Sequence, residues 1–316
     1  MPDVTVVIRP YDYSYRAKWD AFVRSSKNGT FLFLRDYMDY HAERFEDSSL
    51  VFARDSDIIA LFPAHRSGGH VYSHQGLTYG GFVVSDSMTT PTMLEVFEQL
   101  CAYLHGTEVE RLHYKTVPSI YHSLPAEEDR YALFRAGATL SRRDVLSVVA
   151  AGRRGLVQKR RKRGAARAER AGVTVGRAKA WAPFWTLLTR QLQERYGVGP
   201  VHALAEIELL AHRFPDNIKI FTAQHEGEDI AGAVIFESSR VAHVQYIASS
   251  STGRNLGALD ALFHYLLENV FPDKPYFDFG ISNEKGGRVL NRGLIEQKEG
   301  FGARAVVHDF YELDIG

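Results

Sequence analysis

The chain has 316 residues, 45% hydrophobic and 24% charged, and its 38 basic side chains are balanced by 38 acidic ones. That is a globular composition whose zero net charge advertises no polyanionic partner, and a single cysteine, Cys101, excludes an internal disulfide. The N-terminal apolar run carries Asp3 and Arg9, and no segment reaches the roughly 18 to 20 apolar residues of a membrane span, so a cytoplasmic protein without a transmembrane segment is expected.

In chain order, "SLVFARDSDIIALFPAHRS", Ser49 to Ser67, predicts a hairpin turning at the charged Asp55 to Asp57. "HVYSHQGLTYGGFVVSD" continues as strand, interrupted by Gly80 and Gly81. A helix follows, capped by Thr89 or Thr90 with Pro91 in its first turn and Met93, Leu94, Val96, Phe97, Leu100 and Leu104 at helical spacing. "VERLHYKTVPSIYH" returns to strand and loop. Next comes the basic "GRRGLVQKRRKRGAARAERAGVTV", a predicted helix from Leu156 to Ala171. It reads either as a solvated helix or as a row of arginine forks for a phosphorylated ligand. "WAPFWTLLTRQLQERYGV" and "HALAEIELLAHRF" are amphipathic helices, and "IKIFTAQHEGEDIAGAVIFES" is a second hairpin. The strand "RVAHVQYIASS", a helix, the strand "YFDFGISN", a short helix through "GRVLNRGLIEQKEGFG" and the strand "AVVHDFYELDI" complete the chain. Each half thus repeats hairpin, strand, helix and strand. The expected fold is α/β, two similarly built domains in tandem, 1–151 and 152–316, each a mixed central sheet flanked by helices.

The stretch from strand to helix at "IASSSTGRNLGALDALF" poses a choice. Residues Gly253 to Ala258 either leave free N–H groups for a pyrophosphate, with Gly257 admitting close approach and Arg254 adding charge, or form an ordinary turn.

The segment Arg254, Asn255, Leu256, Gly257 and Ala258 resembles the coenzyme A signature of the GNAT acyltransferase superfamily, an Arg or Gln, two residues, Gly, any residue, then Gly or Ala. Here the last small residue comes one place early and Leu259 follows. The order of elements around it, and "EGFG" at Glu299 to Gly302, are similar to that superfamily's core. The early "TFLFLRDYMDYH", the "GLTYGG" of the first half and the terminal "FDFGISNEKGGRVLNRGLIEQKEGFGAR" extend the resemblance over nearly the whole chain, to the Fem-type tandem branch. That branch includes peptidyl transferases that use aminoacyl-tRNA on cell-wall precursors, and relatives that acylate amino sugars on nucleotide carriers with acyl-CoA. The resemblance implies two tandem GNAT-like domains, an acceptor side in 1–151 and a coenzyme A side in 152–316. No long helical-arm insertion of the tRNA-dependent kind is visible. The expectation is therefore acyl-CoA as co-substrate and a nucleotide-linked amino sugar as acceptor, with tRNA the alternative partner and a non-enzymatic nucleic-acid-binding protein the second alternative.

Acyl transfer from a thioester to an amine needs a neutral amine, a stabilised oxyanion and an exit for the thiolate. By resemblance the central strand "QYIASSS" would offer backbone N–H groups, those of Ile247 and Ala248 among them. Glu284 is the candidate base, or else it bridges the loop to Lys285 or Arg288. Asn283 and Asn291 would meet pantetheine amides, or structure their loop. The tyrosine that resemblance would place before the closing turn is Glu296 here, which leaves Tyr246 or solvent as the acid. In "HQGLTYGG", His74 and Tyr79 either line an acceptor pocket or belong to a tight turn, and Lys159, Arg160 and Arg163 are candidates for acceptor phosphates. No metal-ligand spacing such as H-E-x-x-H occurs, and "GISNE" lacks the second glycine of a nucleophile elbow, so neither a metal site nor a hydrolase is expected.

Overall fold

The computed structural model describes residues 5–152 and 157–316. It divides into two compact α/β units. One takes the chain to Asp144 together with Lys285–Arg288 and Val307–Gly316; the other takes Val145–Glu284 and Val289–Val306.

In the first unit, Val7–Pro10, Leu50–Arg54, Asp57–Phe62 and Val83–Val84 form a four-stranded antiparallel sheet in that order. The hairpin turns where the charges predict, with Asp55 in the left-handed region at φ 57. A second run of strands places Glu46–Asp47, His65–Ser67, His70–Tyr72, Arg111–Lys115 and the C-terminal Arg304–Asp314 side by side. The helix Thr90–His105 carries the chain from His70–Tyr72 to its parallel partner Arg111–Lys115. Its Thr89 cap accepts the Thr92 N–H, and Met93, Val96, Phe97, Leu100 and Leu104 enter the core beside Phe62, Phe82 and Tyr114.

The strand expected to run from His70 to the double glycine is shorter than predicted. Strand ends at Tyr72 and resumes only at Val83–Val84. Between them a Cβ on Gly80 would lie 1.9 Å from the Ser73 carbonyl oxygen, and one on Gly81, at φ +87, 2.7 Å from Tyr114 Oη. The double glycine is thus a place where backbone meets backbone. "TFLFLRDYMDYH" also serves packing, because Arg35 is buried, pairs with Asp39 at 2.5 Å and with Asp47, and lies 3.9 Å from the Tyr11 ring centroid.

In the second unit the strand order is Thr174–Arg177, Ile218–His225, Glu228–Glu237, Val241–Ser249, Tyr276–Ile281 and the later residues of Thr139–Ala150. Every pairing is antiparallel except that of Val241–Ser249 with Tyr276–Ile281. Leu262, Phe263 and Leu266, on the helical segment that joins those two strands, pack on Phe277, Phe279 and Phe301. Burying each such side chain stabilises by roughly 1.5 to 3 kcal/mol. Thr139–Ala150 eludes pattern reading because Arg142, Arg143 and Asp144 break its alternation. These charges are satisfied within the first unit, Arg142 Nε donating to Asp144 Oδ1 at 2.9 Å and Arg143 Nε to Asp309 Oδ1 at 2.6 Å.

The basic helix spans Lys159–Arg170 within the expected range, whose first residue, Leu156, lies outside the described residues. Its buried stripe is Gly164 and Ala168 rather than large apolar side chains. It packs on the helix Ala258–Tyr265 by backbone proximity: a Cβ on Gly257 would lie 2.5 Å from the Gly164 carbonyl oxygen, and one on Gly164 1.8 Å from Asp260 Oδ2.

Candidate active site

The parallel pair in the second unit opens into a wedge. Val241, Ala242 and His243 pair with Tyr276, Phe277 and Asp278, and among the described residues the pairing goes no further. On the other side of the strand the register slips between Val244 and Tyr246, leaving Gln245 as a bulge that re-aims the backbone. Gly280, at φ +73, turns the partner strand aside while its N–H bonds Asp278 Oδ1 at 2.8 Å. Strand groups alternate in direction, so only one N–H of the adjacent pair Ile247 and Ala248 faces the wedge, and that of Ser249 is bonded to Gln191 Oε1 at 2.9 Å. Such a wedge suits an extended amide-bearing arm and a carbonyl in need of backbone donors.

Polar groups are buried at its foot. His243 Nδ1 lies 2.7 Å from Asp278 Oδ2, and Asp278 is closed from solvent. Lys298 Nζ donates to the carbonyl oxygens of Gly280 and Ile281, at 3.1 and 2.5 Å. Burial lowers its pKa to about 8, against the pull of Asp278. Tyr246, half of the expected chemistry, is engaged elsewhere: its Oη lies 2.5 Å from His202 Nδ1, and burial pushes the phenol up to about 12.

Beyond the strand the chain enters a helix sooner than the loop reading expects. Ser250 caps Ser251–Leu256 and accepts the Gly253 N–H, Gly257 follows in the left-handed region at φ +82, and Ala258 begins the next helix. The amides of Arg254 and Gly257 bond Ser250 and Gly253 within the turn. The expected row of free amides is therefore largely consumed by the turn, and Gly257 admits the Gly164 backbone. What remains open is a cleft of about 260 Å³ lined by Arg160, Arg161, Arg254, Gly253, Gly293 and Gln297 among others. Arg161 is held there by Asp260 at 2.5 Å, and Arg254 Nη1 donates to the Ser249 carbonyl at 2.8 Å. Arg160 is exposed, as are Lys159, Arg163 and Asn255, while Leu256 is half-buried. Arginine forks around such a cleft fit phosphate oxygens.

Glu284 is exposed, and its Oε1 accepts from Asn291 Nδ2 at 2.8 Å. Asn291 also caps the helix Arg292–Glu299 by accepting the Leu294 N–H, and Asn283 Oδ1 accepts the Val145 N–H at 2.7 Å. Both asparagines thus have loop-building bonds.

The first unit holds a separate cavity of about 400 Å³, lined by Tyr72, His113, Lys115, Arg142, Tyr311 and Glu312 among others. Tyr72 and His113 stack at 4.4 Å with their planes 8° apart. Burial, with Arg142 nearby, lowers the Lys115 ammonium to about 7. His74 and Tyr79 do not line this cavity: both are buried, His74 stacking on His41 and Tyr79 Oη donating to Thr30 Oγ1 at 2.8 Å. Their neighbours Tyr72, Ser73 and Gln75 line it instead, because a left-handed His74, at φ 60, turns its own ring inward.

Sequence reasoning missed His243, Asp278, Lys298 and Lys115. The available signal was a polar residue amid apolar ones in a strand, as in "VAHVQY" and "FDFG". Among the described residues no group of His, Cys, Asp and Glu is arranged to hold a metal, and no helix is long and apolar enough to cross a membrane.

Residues 151–285 match the Acetyltransferase (GNAT) domain. Solved structures similar to this chain include FemX, with a TM-score of 0.67 at 12% identity over 96% of both chains. L-PGS from Bacillus licheniformis gives 0.60 at 13% over 96% of this chain and 91% of that one. A tandem GNAT protein from the clavulanic acid biosynthesis pathway gives 0.55 at 11% over 98% and 99%. At these identities the likeness is one of fold. No curated protein matches the sequence.

Proposed function

We propose that this chain, whose residues 151–285 match a GNAT domain and whose fold is similar to that of FemX, transfers an acyl group from acyl-CoA to the amine of a nucleotide-linked amino sugar. The observation that carries this reading is the wedge between Val241–Ser249 and Tyr276–Ile281, in the same unit as the arginine-lined cleft. The pantetheine arm lies in the wedge, with the thioester carbonyl on a single backbone donor of the Ile247–Ala248 stretch. Arg160, Arg161 and Arg254 receive the phosphates. The amine attacks the carbonyl carbon, a C–N bond forms, and Glu284 accepts the proton the amine sheds. The collapsing intermediate expels the thiolate.

For the acceptor, the cavity of the first unit supplies the stacked Tyr72 and His113 for a planar or sugar ring and the cations Lys115 and Arg142 for phosphate. These residues take the role expected of His74 and Tyr79. Synthesis of cell-surface polysaccharide is a process that consumes such acylated sugars.

The deciding experiment is a panel of acyl-CoAs against UDP- and dTDP-linked amino sugars, read by release of free thiol, with tRNA binding measured in parallel at physiological salt. Thiol release that depends on an amino sugar is expected. Tight tRNA binding with no turnover of any acyl-CoA would instead establish aminoacyl transfer. Salt-sensitive nucleic-acid binding with no transferase activity would point to a binding protein.

A further inference from the structure

Resting on the acyl-CoA reading, we infer that His243 is the catalytic acid that protonates the departing thiolate, with Asp278 as its positioning residue. An alkyl thiol has a pKa of about 8.5, so its thiolate leaves an intermediate more readily if a proton reaches the sulfur as the C–S bond breaks. Of the proton carriers around the wedge, Tyr246 is committed to His202 and raised to about 12. Lys298 is bonded to the carbonyls of Gly280 and Ile281, and Glu284 stands exposed and bonded to Asn291.

His243 is differently placed. It is the last residue of its strand to pair with Tyr276–Ile281, so its ring sits where the two strands part. Its Cε1 lies 3.5 Å from where a Cβ of Gly280 would be, against the segment that bends away. Asp278 Oδ2, at 2.7 Å, fixes the proton on Nδ1 and leaves Nε2 as the nitrogen that exchanges. The Asp278 side chain is only 1% accessible, whereas His243 keeps 11%. The carboxylate is itself oriented by the Gly280 N–H on Oδ1.

The step balances. His243 enters the step as the imidazolium, protonated on both nitrogens; as the C–S bond breaks, the sulfur leaves with the electron pair and takes the proton from Nε2. The neutral imidazole regains a proton from solvent, while the proton lost by the amine has already gone to Glu284.

The test compares acetyl-CoA with acetyl-seleno-CoA, which binds through the same groups but releases a selenolate that needs no acid. His243→Asn keeps a donor for Asp278 and removes the exchangeable proton. It should lower kcat with the thioester by about 100-fold or more while changing kcat with the selenoester by less than about threefold. Equal losses on both donors would make His243 structural and overturn the assignment. Should His243→Asn fail to fold, the wild-type enzyme decides: the two donors should turn over at similar rates if an acid assists sulfur, and a selenoester far faster than the thioester would overturn the inference. Wild type that turns over neither donor with any amino sugar overturns the acyl-CoA reading itself, and the acid role with it. Wild type that is active while His243→Asn loses both donors equally overturns only the acid role.

Discussion

Mild acid should destabilise the first unit, and the loss can be worked from its histidines. His65, His122 and His308 are 2%, 7% and 4% exposed, and burial, the largest cause in each, lowers them from 6.5 to about 4. A lowered pKa means that the unfolded chain binds the proton first. Stability is intact above pH 6.5 and falls as the pH drops toward 4, by roughly 3 kcal/mol per histidine. His74, also lowered by burial, acts in the same sense. Asp129 opposes them, because burial raises its pKa to about 6 and the folded chain takes up that proton first. It returns about 3 kcal/mol as the pH falls from 6 to 4. The net loss is roughly 6 kcal/mol, comparable with the whole stability of many domains, about 5 to 15 kcal/mol. Urea titrations at pH 7.5, 6, 5 and 4.5, with hydrogen exchange resolved by peptide, measure it. First-unit peptides around His65, His122 and His308 should lose protection most, and His122→Gln should move the acid midpoint downward. A urea midpoint unchanged between pH 7.5 and 4.5 would refute the reasoning, since buried neutral imidazoles must then be absent.

Gly257→Ala should cost roughly 2 to 3 kcal/mol, from the left-handed backbone and from contact with the Gly164 carbonyl, and should show as a lower urea midpoint even without ligand. A glycine without the Gly164 contact would lose only the left-handed backbone cost, about 1 kcal/mol. Tyr114→Phe removes the partner of both the Phe82 N–H and Asp129 Oδ2, so a loss of about 2 kcal/mol is expected in the same assay. Lys115, lowered to about 7 by burial, loses its folding advantage as the pH falls from 10.5 toward 7; Lys115→Met should flatten the stability slope between pH 9 and 7. Glu284→Gln should reduce turnover by about 100-fold with little change in donor binding, and a rate near wild type would return the carboxylate to its bond with Asn291.

Local order supplied much of the architecture. Thr89 and Pro91 start a helix because the cap and the fixed φ act within one turn, and Asp55 marks a hairpin because the turn is a local event. The two helices after the basic segment and the strand, helix and strand around Arg254 were legible for the same reason. Thr139–Ala150 was not, because Arg143 in it finds its counter-charge on Asp309, far along the chain. The site divides in the same way. Arg254 and Glu284 could be singled out by motif, and Arg254 and Arg160 do line one cleft. That Gly257 is spent on Gly164, that His74 turns inward while Tyr72 faces the cavity, and that His243 meets Asp278 were decided only in three dimensions. The sequence carries the period and the caps, which are interactions between near neighbours. Where two strands stop pairing, and which polar side chains are then buried together at that point, depends on a register set by packing between segments that chain order keeps apart.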